Sequence, residues 1–314
     1  MRKVFTELLE HYQVRKSRSE KDAFIAYVQN KCDELDYPCN VEISGTFKSH
    51  NIVVGNLNTA KTIFTAHYDT QPVIPFPNFI TPLNIPVFLI YNLLVAGVGT
   101  FIFLRMIMPI FIFITGSIFI SKLLSLVVLC LFIGQMMFGI ANKHTANDNT
   151  SGCAGLLAIM EDLQPDFRES AAFVFFDHEE VGLLGSAAFS KAHKTILQHK
   201  LLINMDCISD GENLLFMSKK DSFSTSLEQS LKNSLEKYTK QSGMNFLYAT
   251  PGKFVYPSDQ ANFKNACALT TLNKNKYVGY YCARIHTPKD VIFEKRNLEC
   301  IAAAAVEYIV NISA

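Results

Sequence analysis

Two histidines and five carboxylates of this 314-residue chain stand where an apolar stretch gives way to polar residues. His67 and Asp69 end "KTIFTAHYDT", and Asp148 opens "NDNTSGCAGLLAIMEDL". Glu179 and Glu180 end "SAAFVFFDHEEVG", Asp206 ends "KLLINMD", and His286 sits in "ARIHTPKD". Imidazole and carboxylate are the ligands that zinc and neighbouring divalent metals take. Carboxylates gathered at one site without a cation would repel and raise one another's pKa. Two cations offset that charge, and one carboxylate can bridge a metal pair about 4 Å apart. Each residue alone has a plainer reading: a solvated loop histidine, a helix N-cap at Asp148, or a turn at "HTPKD". Their joint order along the chain favours the metal site.

The elements that must position these residues alternate. Apolar runs of strand length end in the acids and His67, and stretches of helical period separate them. The N-terminal part reads as two helices, the second starting at Ser19 and running through Ala23 to Leu35, followed by "VEISGTFKSHNIVVGNL" as strands. Strand–helix alternation predicts an α/β fold: a three-layer α/β/α sandwich on a central, mostly parallel mixed sheet. Ligands in such sheets bind at the carboxyl ends of strands, where His67, Glu179, Glu180 and Asp206 fall. A net charge of +1 gives no electrostatic case for nucleic acid. The eight cysteines form no CxxC pair and read as free thiols of a reducing compartment. HExxH, GxSxG and the phosphate-binding GxxxxGK[ST] are all missing.

Taken in order, "TAHYDT", "NDNTSG", "FFDHEEVGLLGS", "NMDCIS" and "RIHTPKD" resemble the motifs of the family-28 metallopeptidases, the co-catalytic zinc aminopeptidases. The resemblance implies a zinc-exopeptidase fold of phosphorylase/hydrolase-like type and two Zn2+, with other divalent metals as substitutes. It implies His67 and Asp206 on one zinc, Glu180 and His286 on the other, and Asp148 bridging. Glu179 resembles the general base, and Asp69 the carboxylate that orients the His67 imidazole. The implied substrate is a peptide with a free N-terminus. "YPSDQANF" departs from the family's Ser-Asp-His stretch by carrying Gln260. Tyr256 is a candidate oxyanion donor or a packing residue. Ile285, Phe254, Tyr280 and Tyr281 are candidates for the substrate pocket or for core.

His67 and Asp148 lie about eighty positions apart, far more than an ordinary connection needs. Most of the excess is apolar. "IPVFLIYNLLVAGVGTFIFL" meets the length of a membrane span and "LLSLVVLCLFIGQMMFGIA" nearly does. An apolar arm of this size in water would aggregate. Residues 81–141 therefore read as an inserted membrane hairpin in a discontinuous catalytic domain of 1–80 and 142–314. Because His67 and Asp148 must meet, the chain crosses an even number of times, here twice. Arg105 and Lys122 would then share the far interface, with 106–121 interfacial or re-entrant between them. About eighty residues without a secretory signal precede the first span, which places the catalytic domain in the cytoplasm. The hairpin would hold the catalytic mouth toward the bilayer and favour membrane-proximal or apolar peptides. The expected function is a membrane-anchored dizinc aminopeptidase. The alternatives are a glutaminyl-cyclase-like acyltransferase on the same fold and a catalytically inactive membrane scaffold.

Overall fold

A computed structural model describes residues 2–74, 76, 78–219 and 225–313. Helices α1 (Lys3–His11) and α2 (Arg18–Glu34) precede strands β1 (Cys39–Ser44), β2 (Ser49–Val54) and β3 (Thr62–His67). The apolar helices α3 (Ile85–Ile102), α4 (Met108–Thr115) and α5 (Ile118–Phe138) follow. Then come α6 (Gly152–Asp162), β4 (Ala171–Phe176), α7 (Leu184–Ala192), α8 (Lys194–Leu197) and β5 (Leu201–Met205). The chain closes with β6 (Asn213–Ser218), α9 (Thr225–Ser242), β7 (Asn245–Ala249), β8 (Ala266–Asn275), β9 (Gly279–Tyr281) and α10 (Lys295–Ser313).

The strands form one sheet in the order β1-β2-β4-β3-β5-β8-β6-β7, with β9 on β8. Its centre is parallel: β3 pairs with β4 and β5, and β5 with β8, all in parallel register. Antiparallel pairs flank that centre on both sides. The central strands are buried on both faces, so they read as unbroken apolar runs rather than alternating ones. Alternate side chains of β4 still go to opposite layers. Phe173 and Phe175 join the core under α1, α2, α6 and α10, while Ala172, Val174 and Phe176 join the core that holds Phe189 of α7. This is the α/β/α sandwich that the sequence predicts.

Two boundaries differ from expectation. Helix α2 starts after Ser17, not at Ser19. Ser17 Oγ accepts from the Glu20 amide while Glu20 bonds back to the Ser17 amide, a reciprocal pair that satisfies two otherwise open donors. In the apolar block, where an interfacial or re-entrant segment is expected over 106–121, helix runs to residue 115 and resumes at 118. A π turn over Phe103–Ile107 leads straight into α4, so Pro109, which has no N–H to donate, follows a stretch of altered helical bonding within one continuous helix. The chain reverses at Gly116, which has φ 62°, a left-handed conformation that suits glycine. Ser117 then caps α5 by accepting from the Ile120 amide. Arg105 lies inside the π turn and Lys122 in the second turn of α5.

Helix α3 through α4 (Ile85–Thr115, 31 residues) and helix α5 (21 residues) are long and apolar enough to cross a membrane. They bury almost nothing: no residue of α3 or α4, and only Ser121 and Ser125 of α5. Ser17→Ala removes the α2 cap and is expected to lower stability by about 1 kcal/mol, read as a lower denaturation midpoint with unchanged circular dichroism at rest.

Candidate metal centre

Five segments carry the site, and three of them leave the carboxyl ends of parallel strands. His67 is the last residue of β3, Glu179 and Glu180 follow β4, and Asp206 follows β5. Asp148 lies in an irregular turn (Ala146–Ser151) ahead of α6, with non-helical φ −111° and ψ 100°. It is not the N-cap of α6, which starts at Gly152 and whose first amide donates to Asn149 Oδ1. His286 comes from the loop after β9. His178, Cys207 and His286 all have positive φ, between 56° and 61°. Non-glycine residues in this region cost energy and persist where the surroundings over-determine them.

The sequence-predicted residues converge. His67 Nε2 lies 3.2 Å from Asp148 Oδ1 and 3.7 Å from Asp206 Oδ1. His286 Nε2 lies 3.0 Å from Asp148 Oδ2 and 3.4 Å from Glu180 Oε2. Asp148 thus turns one carboxylate oxygen to each histidine. Two triads share it, His67–Asp148–Asp206 and Asp148–Glu180–His286, each with ligand atoms within 4.8 Å of one another. Glu179 joins His67 and Glu180 in a third grouping of the same reach.

Charge is the dominant physical fact here. Desolvation opposes a charged His67, yet Glu179, Asp148, Asp206 and Asp69 push its pKa well above the ordinary imidazole range. Desolvation and the neighbouring Glu180, Asp259 and Asp206 push Glu179 well above the carboxylate range, against the pull of His67. Desolvation and Asp148 do the same to Glu180. Asp148 moves the other way: desolvation would raise it, but His286 and His67 hold it well down. So much buried carboxylate, faced by two imidazoles whose Nε2 atoms point inward, is a donor set that suits a metal cation.

The supporting bonds refine the role of Asp69. The His67 Nδ1 lies 3.1 Å from the Asp69 main-chain carbonyl and 3.7 Å from its carboxylate. The imidazole is oriented by the carbonyl. The carboxylate instead accepts the amides of Glu179 (2.9 Å) and Glu180 (3.2 Å), and so fixes the turn that separates the two glutamates.

Several supporting residues go beyond the sequence reading. Asp290 accepts the amides of Asn147 (2.8 Å) and Asp148 (3.0 Å). Asn147 Oδ1 accepts from Ser209 and Asp210, and Asn149 bonds to Met205 and Cys207, which rivets the Asp148 turn to the Asp206 loop. Gln71 donates to Glu180 Oε1 (2.5 Å) and accepts from the His286 amide (3.1 Å). Behind the acids, the fully buried Arg15 bonds Tyr68 O and Thr150 Oγ1. The only sequence signals were the acid four places after His286 and the asparagines flanking Asp148.

A cavity of about 240 Å³ opens on the site and is shared by Tyr256 and Ile285, while Tyr280 lies outside it. Tyr280 packs instead against the neighbouring apolar cluster, under Lys274. The Tyr256 hydroxyl donates to the Asp206 carbonyl and bonds Thr270, so it is committed to the protein rather than to an oxyanion. Gln260 accepts from Asn204 and donates to the Tyr256 carbonyl, which ties these segments together. Phe254 and Tyr281 do not line the cavity either.

Asp69→Asn leaves the ligands in place but turns an amide NH2 toward one of the two glutamate amides. A 10- to 100-fold loss of kcat/KM with metal content retained is expected, checked by steady-state rates alongside metal analysis.

A family model described as Peptidase family M28 matches residues 134–309. No curated protein matches the chain. Among solved structures, the Legionella pneumophila LapA aminopeptidase is similar at 14% identity and TM-score 0.58, over 99% of this chain and 70% of that one. The Bacteroides thetaiotaomicron glutaminyl cyclase bound to N-acetylhistamine is similar at 14% and 0.59, over 98% and 95%. The Tannerella forsythia glutaminyl cyclase is similar at 14% and 0.60, over 98% and 97%. These likenesses establish the fold, and the family match goes further: the chain belongs to peptidase family M28.

Proposed function

We propose that this chain is a membrane-anchored dizinc aminopeptidase. The observation that carries the reading is the sharing of Asp148 between two ligand triads, with Glu179 beside them and outside the bridged set. His67, Asp206 and Asp148 would hold one zinc, and Glu180, His286 and Asp148 the other. When bound, zinc supplies Lewis acidity toward a water and the scissile carbonyl.

The chain's own residues supply the rest. Glu180 is engaged by Gln71 and His286, whereas Glu179 makes no such bond to Gln71. Glu179 is the base that takes the water's proton and hands it to the leaving amine. Asp69 holds the two glutamates in these separate roles through their amides. The acid-rich floor attracts a protonated α-amine, which favours cleavage of the first residue. The cavity beside Tyr256 and Ile285 receives that residue's side chain.

The hairpin α3–α5 is the membrane anchor, inserted between 1–80 and 142–314 of the catalytic domain. Its exposed apolar surface finds no partner within the described residues. The catalytic domain lies on the cytoplasmic side. All eight cysteines are free thiols, as in a reducing compartment. Lys16 donates to the Met137 carbonyl at the end of α5, which puts a cation at the domain side of the hairpin.

The full chain is expected to hydrolyse leucyl-anilide and free peptides, to spare N-acetylated ones and to lose activity with a chelator. Glu179→Gln should lower kcat by 10²- to 10⁴-fold at unchanged metal content. Full activity in that variant, or conversion of an N-terminal glutamine to pyroglutamate as the sole reaction, contradicts the assignment. The chain is also expected to stay with membranes through an alkaline wash, and a Gly/Ser linker in place of 85–138 should release it.

A further inference from the structure

The two legs of the hairpin border different cavities beside Glu180. Phe88 and Asn92, in the first two turns of α3, share the site cavity with His67, Glu179 and Glu180. Glu180 also borders a second cavity of about 390 Å³, which has an apolar wall of Phe47, Leu184 and, at the end of α5, Met137 and Phe138, and a polar wall that includes Lys16, Lys21 and His178. Phe47 and Phe138 are both about two-thirds exposed, so the apolar wall continues onto the apolar surface of the hairpin.

Both roots are fastened. The Ile74 amide donates to the His286 carbonyl (3.0 Å), and Ile80 exchanges two backbone bonds with Cys282 (2.8 and 2.9 Å). Val73 bonds Ile140, and Asn142 bonds Gln71. The root segments 71–73 and 140–142 are paired, and beyond them the helices themselves come together at the far end. Among the described residues α5 packs along α4 and the π turn, and α3 makes no comparable contact with it. The mouth of the site is therefore open between two apolar helices.

Lengths set the level of that mouth. Helix α5 has 21 residues, or about 31 Å, which matches a hydrocarbon layer of about 30 Å. The first leg has 31 residues and outruns α5 by about three turns. Those extra turns hold Phe88 and Asn92. They lie at the surface of the layer that α5 spans, beside the metal site.

We infer that substrate reaches the site laterally, between α3 and α5, and that Phe88 and Asn92 are specificity-determining residues for it. The substrate class is a polypeptide whose N-terminus lies at a bilayer surface and whose first residues are apolar. The first residue enters the cavity walled by α3, and the following residues run along the Phe47–Phe138 wall. This rests on the aminopeptidase reading above and names its substrate.

The test uses the full chain in vesicles of phosphatidylcholine and phosphatidylglycerol. Two peptides begin with three leucines and carry the same acyl anchor. Their Gly/Ser spacers have about three and about twenty residues. Both are held in the same vesicles, so co-localisation alone treats them alike. The short-spacer peptide is expected to show a kcat/KM at least about fivefold higher. Phe88→Ala and Asn92→Trp should each lower that preference, with about a tenfold rise in KM for the short-spacer peptide. Leu93→Ala, on the exposed side of α3, should change neither rate. Equal rates for the two spacers, or a preference undiminished in both variants, overturn the lateral route. If leucyl-anilide is still hydrolysed in either case, the aminopeptidase reading stands alone. A wild-type chain that cleaves none of the three substrates overturns both.

Discussion

Four carboxylates and two imidazoles converge at the ends of three parallel strands, and the rest of the site follows from holding that charge together. The Asp148 turn is pinned by Asp290 through two amides and by its flanking asparagines to the Asp206 loop. The two glutamates are pinned through their amides by Asp69. Gln71 ties Glu180 to the His286 loop. No single strand could impose this geometry. Each ligand is held by groups from a different loop, so the site is rigid because the loops constrain one another. Buried Arg15 adds a positive charge behind the acids and joins the N-terminal segment to Tyr68, just past β3, and to the Asp148 turn.

The apolar hairpin is built into the same network. Its outgoing strand passes through Gln71 and Ile74, and its return strand through Ala141 and Asn142, all within the bonds that fix Glu180 and His286. An insertion at this place adds length between His67 and Asp148 without displacing either, because the two roots are zipped together where they leave the sheet. The fold thus tolerates a large apolar element at the rim of a polar site.

Much of this was legible in the sequence because buried parallel strands read as apolar runs, and the chemical residues stand at their ends. His67, Glu179, Glu180 and Asp206 could be placed on that ground alone. Gln71, Asp290 and Arg15 could not, since their work is done on backbone groups that only the fold brings near. The role of Asp69 was half legible. Its position beside His67 was clear, but its carboxylate serves the glutamate amides from a neighbouring strand end. Within the apolar block, Pro109 and Gly116 were both possible breaks. Proline inside a continuous helix removes one donor and is accommodated here beside the π turn, whereas glycine in the left-handed region ends a helix. Tyr280 shows the limit of composition: an aromatic near His286 is as fit for packing as for a pocket.

The central claim is that Asp148 serves two metals at once. An anomalous difference map at the zinc edge, from crystals of the full chain, tests it most directly. Two peaks are predicted, one beside His67 and Asp206 and one beside Glu180 and His286, with an Asp148 oxygen toward each. A single peak on one side of Asp148, or none in the presence of excess zinc, would contradict it.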